Sequence, residues 1–343
     1  MSRKPISLKD IAKELNVSIS TVSRALKNHP DISVALTTKI QALAREREFS
    51  PNPLAMGLLK QQTRIIGVIV PNLVTFFYSS IISGIESVAR ENGYYVLITS
   101  SYESYIKEKE CVENLLSSRV EGLIVCLSKE TKDYSHFEKI INKEIPLVFF
   151  DRVCRTSEFS SVVIDNRDMA FQIIKHFYES GARRIAHIAG PQHLSIACER
   201  FEGYQAGLKN CKLKFDKNLV EFIDLTIDDA AKAANKLLSL PDSPDAIFSV
   251  NDMVAYVTMK EIKRKGLRIP EDVLLVGITD EFHATVVDPP LTSIMHPTFD
   301  IGRECASLFF AQIQSKEKTP PIQKVMKTKL IVRESSVRKD RTC

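Results

Sequence analysis

Residues 7–26 read SLKDIAKELNVSISTVSRAL, and their periodicity decides the reading of the N-terminal part of the chain. Leu8, Ile11, Ala12 and Leu15 recur at helical spacing, which gives one short helix an apolar face. Ser7, with Asp10 three residues on, is the serine–acid pair that satisfies amide donors at a helix start. Asn16 then stands where a left-handed residue must turn the chain, a conformation asparagine tolerates. Ser18 caps a second helix whose Val22, Ala25 and Leu26 pack back on the first. That arrangement turns Ile19, Ser20, Thr21, Ser23 and Arg24 outward, a mixture suited to phosphates and base edges in a DNA major groove. An isolated helical hairpin would show the same spacing. The rest of the chain argues for the DNA-binding alternative.

Charge is the first support. The 343 residues carry a net +5, and residues 1–60 alone hold ten basic and five acidic side chains, so the whole excess lies in the head. A chain of this length suits a small head plus a larger body, and 44% hydrophobic residues is ordinary for a globular core. The start, MSRKPISLKD, lacks the apolar core of a secretory signal, and no apolar run approaches the ~20 residues of a membrane span. Cys111, Cys126, Cys154, Cys198, Cys211, Cys305 and Cys343 are scattered with no C-x-x-C pair, the usage of reduced thiols. The expectation is a cytoplasmic protein with no membrane partner.

The head continues with a third helix, capped by Ser33 and running to about Glu48, with Val34, Thr37, Ile40, Leu43 and Ala44 inward. Phe49-Ser50-Pro51-Asn52-Pro53 then breaks the helix, and Leu54-Ala55-Met56-Gly57-Leu58-Leu59 resumes helical composition for little more than a turn. So short a helix is marginal alone and reads as a linker or a hinge over residues 51–63.

From residue 64 the pattern is α/β. RIIGVIVP (64–71) reads as a strand, IISGIESVARENG (81–93) as a helix, YYVLITS (94–100) as a strand, 108–118 as a helix and GLIVCL (122–127) as a strand. The series restarts, RRIAHIAGP (183–191) mirroring the first strand and DAIFSVN (245–251) the third. Two parallel-sheet lobes imply a cleft at the carboxyl ends of the strands. Phe76, Phe77 and Tyr78 follow the first strand; Asp151 ends PLVFFD; Asn251 and Asp252 end DAIFSVND. The aromatic faces suit the C–H face of a sugar ring, and the three polar residues supply acceptors or, equally, act as caps and turns.

The ordered set LKDIAKELNVSISTVSRAL, FSPNPLA, IGVIVP, VEGLIV, VVIDN, RRIAHIAGP, ERFEGY, DAIFSVND, GLRIPEDV, DPPLTSI and LIVRESS resembles the lactose-repressor and purine-repressor (LacI/GalR) family of bacterial transcription regulators over essentially the whole chain. The resemblance implies a small all-α helix-turn-helix head (1–50), a hinge (51–63) and a two-lobed periplasmic-binding-protein-like core with parallel sheets (64–343). It implies crossings near Ile164, Ser293 and Val325, hence one lobe of about 64–163 plus 294–325 and another of 164–293 plus 326–337. It further implies DNA contacts from Ser18, Ile19, Ser20, Thr21, Ser23 and Arg24, with hinge contacts from Asn52 and Ala55, and Leu58 wedged into the minor groove. For the effector it implies Phe77 and Tyr78 with Phe76, Arg200 of ERFEGY, and Thr279 in the place of an effector-binding aspartate. Leu194 and Ile196 stand where purine-binding relatives place arginine and threonine, which argues against a purine.

Other chemistry is set aside. His187 and His193 form no metal-ligand spacing, Cys198 has no neighbouring base, and no G-x-G-x-x-G or P-loop follows a strand. The expected protein is not an enzyme, uses no cofactor or metal, and binds a pseudo-palindromic operator as a homodimer under control of a sugar-like effector. The alternative is a sugar solute-binding protein without a regulatory role.

Overall fold

The computed structural model describes residues 6–49, 63–141, 143–154, 158–315 and 320–338. The chain divides into two units, Met1–Thr63 and Arg64–Cys343.

In the first unit, α1 (Leu8–Glu14), α2 (Ile19–Leu26) and α3 (Val34–Glu46) form a three-helix cluster. Ser7 and Asp10 make a reciprocal capping box: the Asp10 amide donates to Ser7 Oγ at 3.3 Å and the Ser7 amide to Asp10 Oδ2 at 2.9 Å. Asn16 takes φ 50° in the turn, as its side chain permits. Ile11, Ala12, Val22, Ala25, Ile40 and Ala44 are the buried core. Val34, expected inside, is 83% exposed. As the first residue of α3 it lies outside the stripe that Leu36, Ile40, Leu43 and Ala44 present to the cluster. The helix also stops two residues early, with Glu48 at φ 51°. Asn52, Ala55 and Leu58, and with them the hinge expectation, lie outside the described residues.

The second unit is built on two six-stranded sheets. The first runs β11 (Gln323–Met326), β5 (Ser160–Ile164), β4 (Leu147–Phe150), β3 (Gly122–Val125), β1 (Ile65–Val70), β2 (Tyr95–Ser100), all parallel. The second repeats that order with β12 (Lys329–Ile331), β10 (Thr292–Met295), β9 (Leu274–Thr279), β8 (Ala246–Ser249), β6 (Ile185–Ala189) and β7 (Val220–Phe222), where β12 alone is antiparallel. The intervening helices are α4 (Phe76–Glu91), α5 (Tyr105–Ser117), α6 (Ser135–Ile141), α7 (Asn166–Glu179), α8 (Ser195–Asn210), α9 (Ile227–Leu238), α10 (Asp252–Arg264), α11 (His283–Val286) and α12 (Thr298–Gln314). Near-continuous apolar strands such as β3 and β4 are buried throughout, as strands covered on both faces must be.

The chain passes between sheets after β5, after β10 and between β11 and β12. The second passage falls after Met295, because β10 is zipped to β9 through that residue. The third follows Met326, which still pairs with Ile164. Glycines set the closest helix contacts. A Cβ on Gly84 of α4 would sit 2.1 Å from the Phe299 carbonyl oxygen of α12, and one on Gly302 of α12 would sit 2.0 Å from the Ile81 carbonyl oxygen. Gly203 of α8 meets the Arg167 carbonyl of α7 in the same way, at 2.2 Å.

Candidate functional site

The head presents its candidate DNA face on α2. Ser18, Ile19, Ser20 and Arg24 are exposed, and Thr21 and Ser23 are half-buried. Ser18 Oγ accepts the Thr21 amide at 3.1 Å and lies 2.7 Å from Ser20 Oγ and 2.8 Å from Thr21 Oγ1. Three hydroxyls therefore gather at a helix N-terminus, where backbone amides and the helix dipole favour phosphate. Ile19 is the apolar exception, 48% exposed with no core to fill. Arg24 Nη1 stands 3.7 Å from Asp31 Oδ2, both side chains at least half exposed. Such a pair is worth little in water and yields readily to a phosphate.

The body assembles its candidate effector site where the strands end. Phe77 and Tyr78 lie in the first turn of α4, edge-on to each other with ring centroids 5.1 Å apart. The helix begins five residues before the expected segment, so these aromatics are helical. Phe76 is exposed, Phe77 half-buried and Tyr78 buried. Cys126 follows β3 and brings its Sγ to 3.8 Å from Tyr78 Oη and 3.9 Å from Asp151 Oδ2. Asp151 follows β4 with φ 56°, a left-handed backbone that an aspartate can hold. Burial pushes its carboxyl above the usual range, against the pull of Arg152 and Arg200.

Arg200 of α8 is 5% exposed. Its Nε donates to Asn166 Oδ1 at 2.9 Å and its Nη1 to the Val250 carbonyl at 2.8 Å, so it ties the first passage between sheets to the end of β8. Burial lowers its pKa to about 10, which leaves it cationic at neutral pH. Arg152 Nη1 is clamped by Glu103 Oε2 at 2.6 Å. Beyond β10, His296 sits edge-on to Phe77 at 5.6 Å.

Several expected site residues are committed to the fold. Asn251 caps α10, its Oδ1 accepting the Val254 amide at 2.9 Å. Asp252 is 1% exposed and accepts from Ser293 Oγ at 2.6 Å and the Glu281 amide at 3.1 Å. Burial raises its pKa to about 7. Asn251 thus acts as the helix cap, and Asp252 as a buried acceptor that joins the start of α10 to β10 and to the segment after β9. Thr279 closes β9 at φ 134°, an uncommon backbone for a β-branched residue, and Asp280 beside it pairs with Arg333 at 2.6 Å.

Cys126, Arg152, Asn166 and His296 were not anticipated. Each lies within two residues of a strand end, so the strand-end rule applied to every strand, not only to familiar motifs, would have found them. The rim carries one more feature. Lys129, after β3 in the first lobe, places Nζ 2.8 Å from Asp224 Oδ2 in the second, and His193 Nε2 meets the Lys129 carbonyl. Among the described residues no cluster of His, Cys, Asp and Glu is placed to hold a metal ion. No helix among them is long and apolar enough to cross a membrane.

A three-helix unit with an exposed helix-turn-helix face, followed by two like α/β lobes with polar and aromatic groups at their strand ends, defines a DNA-binding regulator with a ligand-binding body. The chain belongs to the lacI family of bacterial regulatory proteins. The profile described as "Bacterial regulatory proteins, lacI family" matches residues 7–52, and "Periplasmic binding proteins and sugar binding domain of LacI family" matches residues 63–332. The transcriptional repressor CytR of Escherichia coli (strain K12) is 33% identical over 330 residues, 96% of each chain. Among solved structures, a transcriptional regulator CelR–cellobiose complex is 29% identical at TM-score 0.74, covering 96% of this chain and 99% of that one. The lac repressor dimer bound to operator and the anti-inducer ONPF is 25% identical at TM-score 0.85, covering 98% and 100%. These relatives are regulators, not enzymes.

Proposed function

We propose that this protein is a cytoplasmic transcriptional repressor that binds a pseudo-palindromic operator as a homodimer and releases or grips it according to a sugar or sugar derivative in the cleft. The observation that carries the reading is the union, in one chain, of the hydroxyl-rich outer face of α2 with a cleft built from Phe77, Tyr78, Asp151 and Arg200. Aromatic edges, a carboxylate and a guanidinium fork are the groups that grip a polyhydroxylated ring. The cellobiose in the CelR complex and the operator in the lac repressor dimer support the two halves of the reading.

Dimerisation has its own support. β2 is an edge strand whose Tyr95, Leu97 and Ile98 are exposed, and Val74, Tyr102 and Ile106 on the adjoining segments add to the apolar surface. An uncovered apolar edge invites pairing. A two-fold dimer would set two α2 helices against two half-sites, with Leu58 of each chain as the minor-groove lever and Asn52 and Ala55 beside it. Effector binding would act by preferring one of two lobe arrangements.

The test is thermal unfolding of the full chain against glucose, ribose, cellobiose, uronic acids, sugar phosphates and purines, followed by operator binding with any hit. A sugar at a hundred times its Kd should add about 2.7 kcal/mol, and log K for operator should fall with log[salt] at about −0.9 per phosphate contacted. No affinity for any duplex would overturn the repressor reading, and stabilisation by purines alone would overturn the sugar reading.

A further inference from the structure

Residues 209–217 read KNCKLKFDK, four lysines against one acid, although the chain beyond residue 60 carries no net charge. The local fold holds this loop in place. α8 ends at Asn210, Cys211 is buried, Lys212 turns the chain at φ 55°, and the Leu213 amide donates to the Leu208 carbonyl at 2.9 Å. Asp216 accepts the Asn218 amide at 2.9 Å and Arg184 Nη2 at 3.1 Å, so the single acid is committed within the fold. Lys209, Lys212, Lys214 and Lys217 are exposed, and among the described residues none of them forms an ion pair.

Aromatic rings stand beside the lysines. Phe201 of α8 packs edge-on to Phe215 at 6.3 Å and to Phe222 of β7 at 5.3 Å, so one ring bridges the other two. Phe215 is nevertheless 42% exposed and Phe222 53% exposed. β7 is the last strand of its sheet, and among the described residues its outer side pairs with no strand. Apolar rings at an open strand edge form a surface that proteins normally cover. Beyond Phe222 the character changes. A groove of about 400 Å³ between β7 and α9 is lined by Glu221, Asp224 and Asp229 as well as Lys232 and Lys236.

We propose that this corner of the second lobe is a docking surface for an extended acidic segment of a partner protein, its carboxylates meeting Lys212, Lys214 and Lys217 and its apolar side chains covering Phe215 and Phe222. An extended chain can also pair with the open edge of β7. A second copy of this patch is a poor occupant, because its lysines would face like charges. A nucleic acid strand fits poorly as well. It carries a negative charge at every nucleotide, and a strand following the rings past Phe222 would run onto Asp224 and Asp229. A peptide can keep its acids to the end that meets the lysines. The loop is already held by its own hydrogen bonds, so docking need not order it.

The experiment measures, by fluorescence anisotropy on the full chain, binding of a labelled peptide of alternating glutamate and leucine. A lysine–leucine peptide and single-stranded oligothymidylate serve as the other probes. The acidic peptide should bind, and its Kd should rise at least about ten-fold in the combined variant Lys212→Glu, Lys214→Glu, Lys217→Glu and again in Phe222→Ser. The lysine variant should keep the wild-type melting temperature and operator affinity, since those side chains make no ion pair in the fold. Should it fail to fold, Phe222→Ser alone decides, because that ring is more than half exposed. A Kd for the acidic peptide above about 1 mM would overturn the proposal, as would equal binding of the lysine–leucine peptide or unchanged affinity in the variants. Oligothymidylate that displaces the peptide and loses affinity in the same variants would make the patch a nucleic acid site instead, and a fall in operator affinity in the lysine variant would assign the lysines to DNA.

Discussion

Asp252 carries a carboxylate into the interior of the second lobe, with Ser293 Oγ and the Glu281 amide as its donors. Two hydrogen bonds do not replace its lost water, and its pKa rises from 3.8 to about 7. Between those values the folded chain binds a proton that the unfolded chain has released. Stability contributed by this group is therefore full below pH 4 and declines as pH climbs to 7, levelling above it. Asp252→Asn should abolish that decline and stabilise the chain at pH 8 by on the order of 2–4 kcal/mol. Urea unfolding of both proteins from pH 5 to 8 checks this, and parallel curves would refute it. The same residue marks the limit of sequence reading. An acid after a strand is visible in DAIFSVND, but whether its oxygens face a ligand or a neighbouring amide depends on atoms 29 and 41 residues away. Asn16 was legible for the opposite reason, since its φ of 50° is a property of the local turn.

At the scale of elements, helix spacing and caps located α1, α2 and α3 because those signals are local. The start of α4 was not legible. Thr75 makes no side-chain cap, and Phe-Phe-Tyr has the composition of a strand or loop more than of a helix. The glycine contacts were also silent, since a glycine inside a helix carries no sign of what lies against it. They matter energetically. Gly302→Ala should push α12 from α4, because the atom in the way is the Ile81 backbone, which cannot rotate aside as a side chain can. A cost of about 3 kcal/mol is expected, seen as a lower urea midpoint with the m-value unchanged. A cost below about 0.5 kcal/mol would mean that the two helices are less tightly coupled than their geometry indicates.

At the scale of the molecule, the α/β alternation and its restart announced two lobes, because a repeat is a pattern over many residues and survives local misreading. What no pattern announced was the tie at the rim. Lys129 and Asp224 are 95 residues apart, one on each lobe, and nothing in either neighbourhood names the other. Lys129→Ala should loosen the contact between the lobes and increase the radius of gyration by small-angle scattering. Asp224 is 62% exposed, so global stability should change by less than about 1 kcal/mol. Identical scattering from both proteins would assign the lobe arrangement to the passages between sheets alone.

Those passages have a consequence for how the molecule is made. β11 and β12 each complete one sheet, and they are neighbours in the chain. During synthesis the ribosome delivers the head first, whole and able to collapse on its own small core. Both lobes must instead wait, each with one border open, until residues 323–331 have emerged. The nascent chain can therefore offer a formed DNA-reading unit before either half of its ligand chamber is finished.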